Sequence, residues 1–185
     1  MTELSIAIRA LVGLIFLTAA WGKLRHRLEF QGVVANYKLL PDALVAPFAI
    51  ALPPIEALVG ALLPTGLLSP APELAAGFLL ALFAIAMAVN IRRGRTHIDC
   101  GCFQSTLKQT LGWNLVARNA VLALATSASA LASGSIPAWG RAEGLLAGAV
   151  MFVLLQSLNI LWSVRPAWLK AAPAHAHHDH GGAGK

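Results

Sequence analysis

Residues 74–105 read LAAGFLLALFAIAMAVNIRRGRTHIDCGCFQS. The apolar run at residues 74–91 approaches the length of about 20 residues that a helix needs to cross a bilayer. Arginines follow it at once, as they do where a membrane span ends. Behind them stand Cys100 and Cys102, the two cysteines of the chain, with one glycine between them. The stretch therefore predicts a membrane-spanning helix that leads into a polar loop with a dithiol.

The composition of the whole chain is that of a membrane protein. Of its 185 residues, 57% are hydrophobic and 12% are charged, with a mean hydropathy of +0.69. Soluble domains carry about 25% charged residues. The net charge is +6, but the basic residues lie between apolar runs and form no stripe interleaved with aromatic residues. We therefore expect a lipid environment and no nucleic-acid partner.

Apolar runs along the chain predict an all-α protein, a polytopic membrane helix bundle. A mixed segment at residues 28–40 is expected to lie on the membrane surface as an interfacial amphipathic helix. The second run is broken by Pro53-Pro54 and again by Pro64, so we expect a kink there. The bundle has about five transmembrane helices, at about residues 4–21, 43–68, 74–91, 111–131 and 143–164.

Residues 1–170 are predicted to form one integral membrane domain, because Arg165-Pro166 stops the last apolar run. Residues 171–185 contain Ala, His, Gly and Pro without apolar periodicity, which predicts a disordered tail. The histidines of this tail resemble a loose metal-binding tract, and we base no function on them. They are His175, His177, His178 and His180.

The distribution of basic residues predicts an orientation. Two same-side loops and the tail are basic, whereas the opposite loops offer only Arg141. The positive-inside rule then places the amino terminus outside, and the dithiol loop and the tail in the cytoplasm. The residues counted are Lys23, Arg25, Arg27 and Lys38, then Arg92, Arg93, Arg95 and Lys108, and in the tail Arg165, Lys170 and Lys185.

The dithiol itself admits three interpretations. Gly101 lets the backbone bend so that both sulfurs converge, and a disulfide in so small a ring is easily reduced, which favours thiol–disulfide exchange. Alternatively, Cys100, Cys102 and His97 bind a soft metal ion such as Cu(I) or Zn, in a membrane carrier or assembly factor. His97 is otherwise a proton shuttle or simply a solvated loop residue, since a lone histidine carries little information. Third, the chain is a purely structural subunit with two unrelated buried cysteines.

Polar residues within the apolar runs are the other candidate site residues, because a charge in a membrane span is costly. Arg118 falls on the dithiol side, where its guanidinium group would stabilise a thiolate or hold the oxygen of a quinone. Asn114 stands four residues earlier on the same helix face. Glu56 follows the prolines of the second run. Glu56 and Asn114 are the candidates for binding a cofactor, and Arg118 joins the two cysteines as a catalytic candidate.

An equal alternative is that these charges only hold the helices together. Glu56, Arg9 and Arg118 would then form buried ion pairs. Gln156 and Asn159 in the last run are predicted to make hydrogen bonds between helices.

Several of these residues belong to short motifs that are found together in one known family. The most specific pattern is Ile98-Asp99-Cys100-Gly101-Cys102-Phe103, followed by Leu111-Gly112-Trp113-Asn114 and Arg118-Asn119, with support from Phe16, Lys23, residues 37–41, Leu52-Pro53 and Glu56. On these residues the sequence resembles the MauE family, the membrane proteins of methylamine utilisation, and more distantly DoxX-like membrane proteins. The family usually reads Cys-Gly-Cys-Phe-Gly, and here Gln104 replaces the last glycine.

The resemblance implies a multi-pass protein of the bacterial inner membrane. It implies a helper in maturation of methylamine dehydrogenase, whose small subunit is rich in disulfides. MauE-like proteins are thought to work with a thioredoxin-like periplasmic partner, MauD, so a MauD-like partner is expected. Family membership does not by itself imply an enzyme, although a thiol–disulfide oxidoreductase fits the dithiol. The implied client is periplasmic, whereas the basic residues predict a cytoplasmic dithiol.

Overall fold

The computed structural model of the chain describes residues 2–95, 111–131 and 138–171. These ranges form six α-helices and contain no strand, which confirms the all-α prediction. His97, Cys100, Cys102 and the tail from residue 172 lie outside the described residues. The helices are α1 (Thr2–Arg25), α2 (Arg27–Tyr37), α3 (Asp42–Thr65), α4 (Ala71–Arg92), α5 (Trp113–Ser129) and α6 (Ala138–Ala171).

Four helices are long and apolar enough to cross a membrane, which confirms a polytopic helical membrane protein. The spanning segments are Glu3–Arg25, Asp42–Thr65, Ala71–Arg92 and Arg141–Leu161. The remaining predicted span is α5, which has 17 residues. At 1.5 Å per residue it measures about 26 Å, short of the roughly 30 Å hydrocarbon core. It nevertheless runs from the dithiol loop to the opposite end of the bundle, where the Ser129 carbonyl accepts from Arg9, so the structure is consistent with about five spans, four of them of full spanning length.

The first helix is longer than its apolar run predicts. Helix α1 continues past the exposed Trp21 through residues 22–25, which the sequence assigns to a loop. One residue, His26, then separates it from α2, the predicted amphipathic segment. Because α1 continues, Lys23 lies on a helix face that points into the bundle. The position of α2 at a membrane surface stays a prediction.

Helix α3 contains Pro47, Pro53, Pro54 and Pro64, and its backbone nevertheless stays helical from Asp42 to Thr65. Proline removes a backbone donor, but packing by neighbouring helices lets membrane helices tolerate it. The helix ends because Gly66 adopts the left-handed conformation with φ of 68°, and its N–H donates to the Leu63 carbonyl at 3.3 Å. The prolines therefore do not end the helix, and the kink at Pro53-Pro54 stays a prediction.

Helix α6 also departs from its predicted limits. It begins at Ala138, ahead of the start expected at about residue 143, and continues past Arg165-Pro166, where the sequence predicts its end. Its window of highest hydropathy, within Arg141–Leu161, is only 11% buried. Most of α6 is thus free to face lipid while one side packs on α1.

Helix α1 is the centre of the bundle and packs against α3, α5 and α6. Small residues allow the closest crossings. A Cβ atom added to Gly13 would lie 2.8 Å from the carbonyl oxygen of Gly60 in α3, and one added to Gly148 in α6 would lie 2.5 Å from Cβ of Ala10. Around these crossings the buried core includes Val12, Phe16, Leu52, Leu63 and Leu80.

The basic loops meet at one end of the bundle, which we call the basic end. It holds the end of α1, all of α2, the start of α3 and the end of α4. The guanidinium groups of Arg93 and Arg95 donate to the carbonyl oxygens of Lys38 and Asn36, at 3.3 and 3.5 Å. The chain that enters the dithiol loop therefore leaves the end of α4 beside the end of α2.

Gly148→Leu should lower the midpoint of thermal unfolding of the protein in detergent, because a side chain there overlaps Ala10 of α1. Overpacking of this kind costs about 1–3 kcal/mol. The matched control is Ala147→Leu, which places the same final side chain on the exposed side of α6. Equal midpoints for the two variants would contradict the close approach of α1 and α6.

A membrane-impermeant maleimide added to intact cells should label neither cysteine, even after mild reduction, and should label both once the cells are permeabilised. The reason is that the basic end belongs in the cytoplasm by the positive-inside rule. The control is Leu68→Cys in a background with Cys100→Ser and Cys102→Ser. Leu68 is exposed between α3 and α4 at the opposite end, so it should react from outside. Labelling of the native cysteines from outside would reverse the orientation.

Candidate functional site

A buried ion pair joins α1 to α3 near the basic end. The Lys23 ammonium group donates to Oε1 of Glu56, and the two side chains are only 4% and 0% exposed. Nζ of Lys23 also lies 5.2 Å from the ring centroids of both Phe30 in α2 and Phe83 in α4. Ring faces at this distance attract a cation. One lysine side chain thus contacts three other helices.

Lys23 and Glu56 carry opposite charges, and each needs the other to remain buried as an ion. An ion removed from water loses several kcal/mol of solvation, and only a well-placed partner offsets that loss. Glu56 has its second carboxylate oxygen, Oε2, buried without a hydrogen-bond partner in the described part of the chain. The pair is therefore electrically neutral but not saturated with hydrogen bonds.

A cavity of about 170 Å³ lies against Lys23. Four aromatic side chains line it: Phe30 and Tyr37 from α2, Phe48 from α3 and Phe83 from α4. Aliphatic side chains of the same helices and of the α2–α3 connection form the rest of the wall. The cavity is thus an apolar, aromatic space, and among the described residues its one charged lining group is the buried ammonium group of Lys23.

The cavity is open at its edge. Two of its lining residues, Leu39 before α3 and Leu82 in α4, are 40% and 37% exposed. Helix α4 is one of the candidate membrane spans, so an exposed side chain in it is free to face lipid. A small apolar molecule can therefore reach the cavity from the membrane.

The predicted catalytic arginine has a polar partner on α6. Nη1 of Arg118 donates to Oδ1 of Asn159 at 3.3 Å, and Nδ2 of Asn159 donates to Oε1 of Gln156 at 3.2 Å. Asn159 thus bonds between helices as predicted, whereas the bond of Gln156 lies within α6, and its role between helices stays a prediction. Among the described side chains no carboxylate pairs with Arg118, so the ion pair offered as its alternative role is not formed there. The catalytic role of Arg118 stays a prediction.

Arg9, the remaining charge that the sequence marks within a span, lies at the opposite end of the bundle. Its Nε lies 3.0 Å from Oε1 of Glu73 in α4, and its Nη2 donates to the Ser129 carbonyl at the end of α5 at 2.9 Å. The Ser69 hydroxyl also donates to Glu73. This cluster ties three helices together, which confirms that buried ion pairs hold the bundle as the sequence analysis offered for Arg9.

The two predicted cofactor-binding candidates do not come together. Glu56 lies behind Lys23, one residue removed from the cavity, whereas Asn114 is exposed in the first turn of α5. Sequence reasoning missed Lys23 because it counted this lysine as a loop charge. A signal was present, since Lys23, Tyr37 and Leu52 all support the family resemblance and all line the cavity.

Comparison with known proteins gives one consistent result. A family model described as "Methylamine utilisation protein MauE" matches residues 1–133. The Methylamine utilization protein MauE of Paracoccus denitrificans is 45% identical over 165 residues, which cover 87% of this chain and 88% of the relative. The proteins of the same name from Paracoccus versutus and Methylorubrum extorquens are 46% and 44% identical. Each matched region covers more than four fifths of this chain and of the relative. No solved structure matches the chain significantly.

Lys23→Met should destabilise the protein by about 3–5 kcal/mol, because it leaves the Glu56 carboxylate buried without its partner. The double variant Lys23→Met, Glu56→Gln should regain most of that loss. Unfolding in detergent, measured for both single variants and the double, gives the coupling energy. The control Glu29→Gln changes an exposed carboxylate in α2 and should stay within about 0.5 kcal/mol of the parent. Additive effects of the two single changes would contradict the pairing.

Proposed function

Because the chain belongs to the methylamine utilisation protein MauE family, we propose that it is a membrane component of methylamine utilisation that carries out thiol–disulfide exchange. The observation that carries this proposal is the Cys100-Gly101-Cys102 dithiol, which lies within the residues that the family model matches. The partner is a thioredoxin-like, MauD-like protein. The client is a disulfide-rich periplasmic protein such as the small subunit of methylamine dehydrogenase.

The exchange needs only the two sulfurs and a disulfide on the partner. One thiolate attacks the partner's disulfide and forms a mixed disulfide, while one sulfur of the partner leaves as a thiolate. The second cysteine of the chain then attacks the mixed disulfide. The products are a Cys100–Cys102 disulfide and a reduced partner, so two electrons and two protons have passed to the partner. The reverse sequence reduces the chain and oxidises the partner.

The charges around the dithiol loop favour the thiolate that this chemistry requires. Arg92, Arg93 and Arg95 stand directly before the loop, and the hydrogen bonds of Arg93 and Arg95 to the end of α2 hold two of them at the basic end. Nearby cations lower the pKa of a cysteine thiol. Arg118 follows the loop in the second turn of α5, and its Nε is buried without a hydrogen-bond partner among the described residues. We assign it the role of stabilising the thiolate.

The predicted side of the membrane determines what else the proposal needs. A cytoplasmic dithiol is kept reduced by the thiol systems of that compartment. Electron transfer between it and a periplasmic client then requires a carrier in the membrane or a partner protein. A membrane site for such a carrier would therefore belong to the same pathway.

Cys100→Ser and Cys102→Ser should each abolish client maturation while the protein stays in the membrane at its normal level, because a single sulfur cannot complete the exchange. The measurement is the fraction of correctly disulfide-bonded client, together with immunoblotting of the membrane fraction. Ser105→Ala is the control, since it changes a hydroxyl in the same stretch without touching a sulfur. Normal maturation in either cysteine variant would refute the dithiol function.

The soft-metal alternative gives a different result on the same protein. Purified protein would then carry metal, and the thiols of Cys100 and Cys102 would become titratable only after chelation. Under the exchange proposal both thiols are titratable after reduction alone. In addition, His97→Ala leaves maturation intact under exchange and impairs it if His97 completes a metal site.

A further inference from the structure

The cavity beside Lys23 has the size and lining of a site for one aromatic ring. An apolar cavity of about 150 Å³ holds benzene, and this one measures about 170 Å³. Four of the thirteen residues that line it are aromatic, against 7% of the whole chain. Aromatic side chains contact another ring favourably in offset-stacked or edge-to-face arrangements. The lining thus favours a flat ring over a flexible chain.

The charge state of the site selects among apolar ligands. Lys23 is neutralised by Glu56, so an anionic ligand would gain little from the ammonium group and would meet a carboxylate close behind it. A lipid acyl chain has no atom that accepts a hydrogen bond from Lys23. A neutral ring with a carbonyl oxygen matches both features, because it adds no charge and accepts from a buried, charged donor.

The opening of the cavity fits a ligand that lives in the membrane. Leu39 and Leu82 at the edge are exposed, so a ring can occupy the cavity while a long apolar tail remains outside between helix and lipid. Ala86 and Met87 of the wall belong to α4, the helix that leads into the dithiol loop. The cavity is thus at the same end of the bundle as the point where that loop begins.

We propose that this cavity binds the ring of a membrane quinone, with one ring carbonyl accepting a hydrogen bond from Lys23. The choice of a redox carrier over an inert aromatic molecule rests on the proposed exchange function. Formation of one disulfide from the dithiol releases two electrons and two protons, and reduction of a quinone to its quinol takes up the same number. The quinone is then the membrane carrier that connects the dithiol to the rest of the electron pathway.

Photolabelling of the full-length protein in lipid nanodiscs tests this site. The probe is an azido-substituted ubiquinone, the competitor is ubiquinone-1, and the labelled peptides are identified by mass spectrometry. Label is expected in α2 and in the second half of α4, and ubiquinone-1 should compete it away. Ala86→Phe and Val33→Phe fill the cavity from two different helices and should each lower labelling at least tenfold.

Each filling variant has a control on its own helix. Ile85→Phe and Ala35→Phe place the same phenyl side chain at exposed positions and should label like the parent. Two filling variants are used so that a folding defect in one leaves the other informative, and thermal unfolding checks both. The quinone site would be overturned if neither filling variant reduced the labelling. It would also be overturned if a fatty-acid photoprobe competed the label away and ubiquinone-1 did not.

The cysteine variants separate this proposal from the exchange function. Cys100→Ser should keep full photolabelling, since it leaves unchanged every side chain that is described as lining the cavity. If the cysteine variants mature the client normally while labelling remains sensitive to Ala86→Phe, the exchange function fails and the ring-binding site stands. If maturation requires both cysteines but neither filling variant lowers the labelling, the exchange function stands and the ring-binding site fails.

Discussion

The bundle is organised around a lysine that must stay buried and paired. Lys23 lies on the last turn of α1, yet only 4% of it is exposed, because Glu56 of α3 and the rings of Phe30 and Phe83 surround its ammonium group. A charge at this depth is tolerated only where its partner is fixed. The pair therefore sets how α1 and α3 meet, and α2 and α4 close over it.

The close packing of α1 makes this arrangement possible. Gly13 and Gly60 bring the backbones of α1 and α3 into contact, and on another side of α1 the same is done by Gly148 of α6. Helices in lipid gain no hydrophobic energy by associating, so close backbone approach and interhelical polar contacts must hold them. At the far end the Arg9–Glu73 cluster adds such contacts. The bundle is thus held by a polar cluster at each end and small residues between.

Both proposed functions use the basic end of the bundle, where the helix packing leaves a gap. There the helices do not close completely, and an aromatic cavity remains beside a neutralised ammonium group. The dithiol loop begins at the end of α4, which forms part of the cavity wall, and its entering arginines are held against α2. An exchange protein and a carrier site would use the same end of the molecule. The second polar feature, Arg118 with Asn159, joins α5 to α6 and follows the loop.

The sequence by itself determined the membrane class, the helical architecture, the approximate spans and the dithiol, because hydropathy and cysteine spacing are local properties. It also marked Glu56, Arg9 and Arg118 as costly intramembrane charges. Only the tertiary structure decided which charges pair, since partners such as Lys23 and Glu56 stand 33 residues apart and nothing local selects one basic residue over another. The cavity likewise exists only where four helices meet, so no single segment could reveal it.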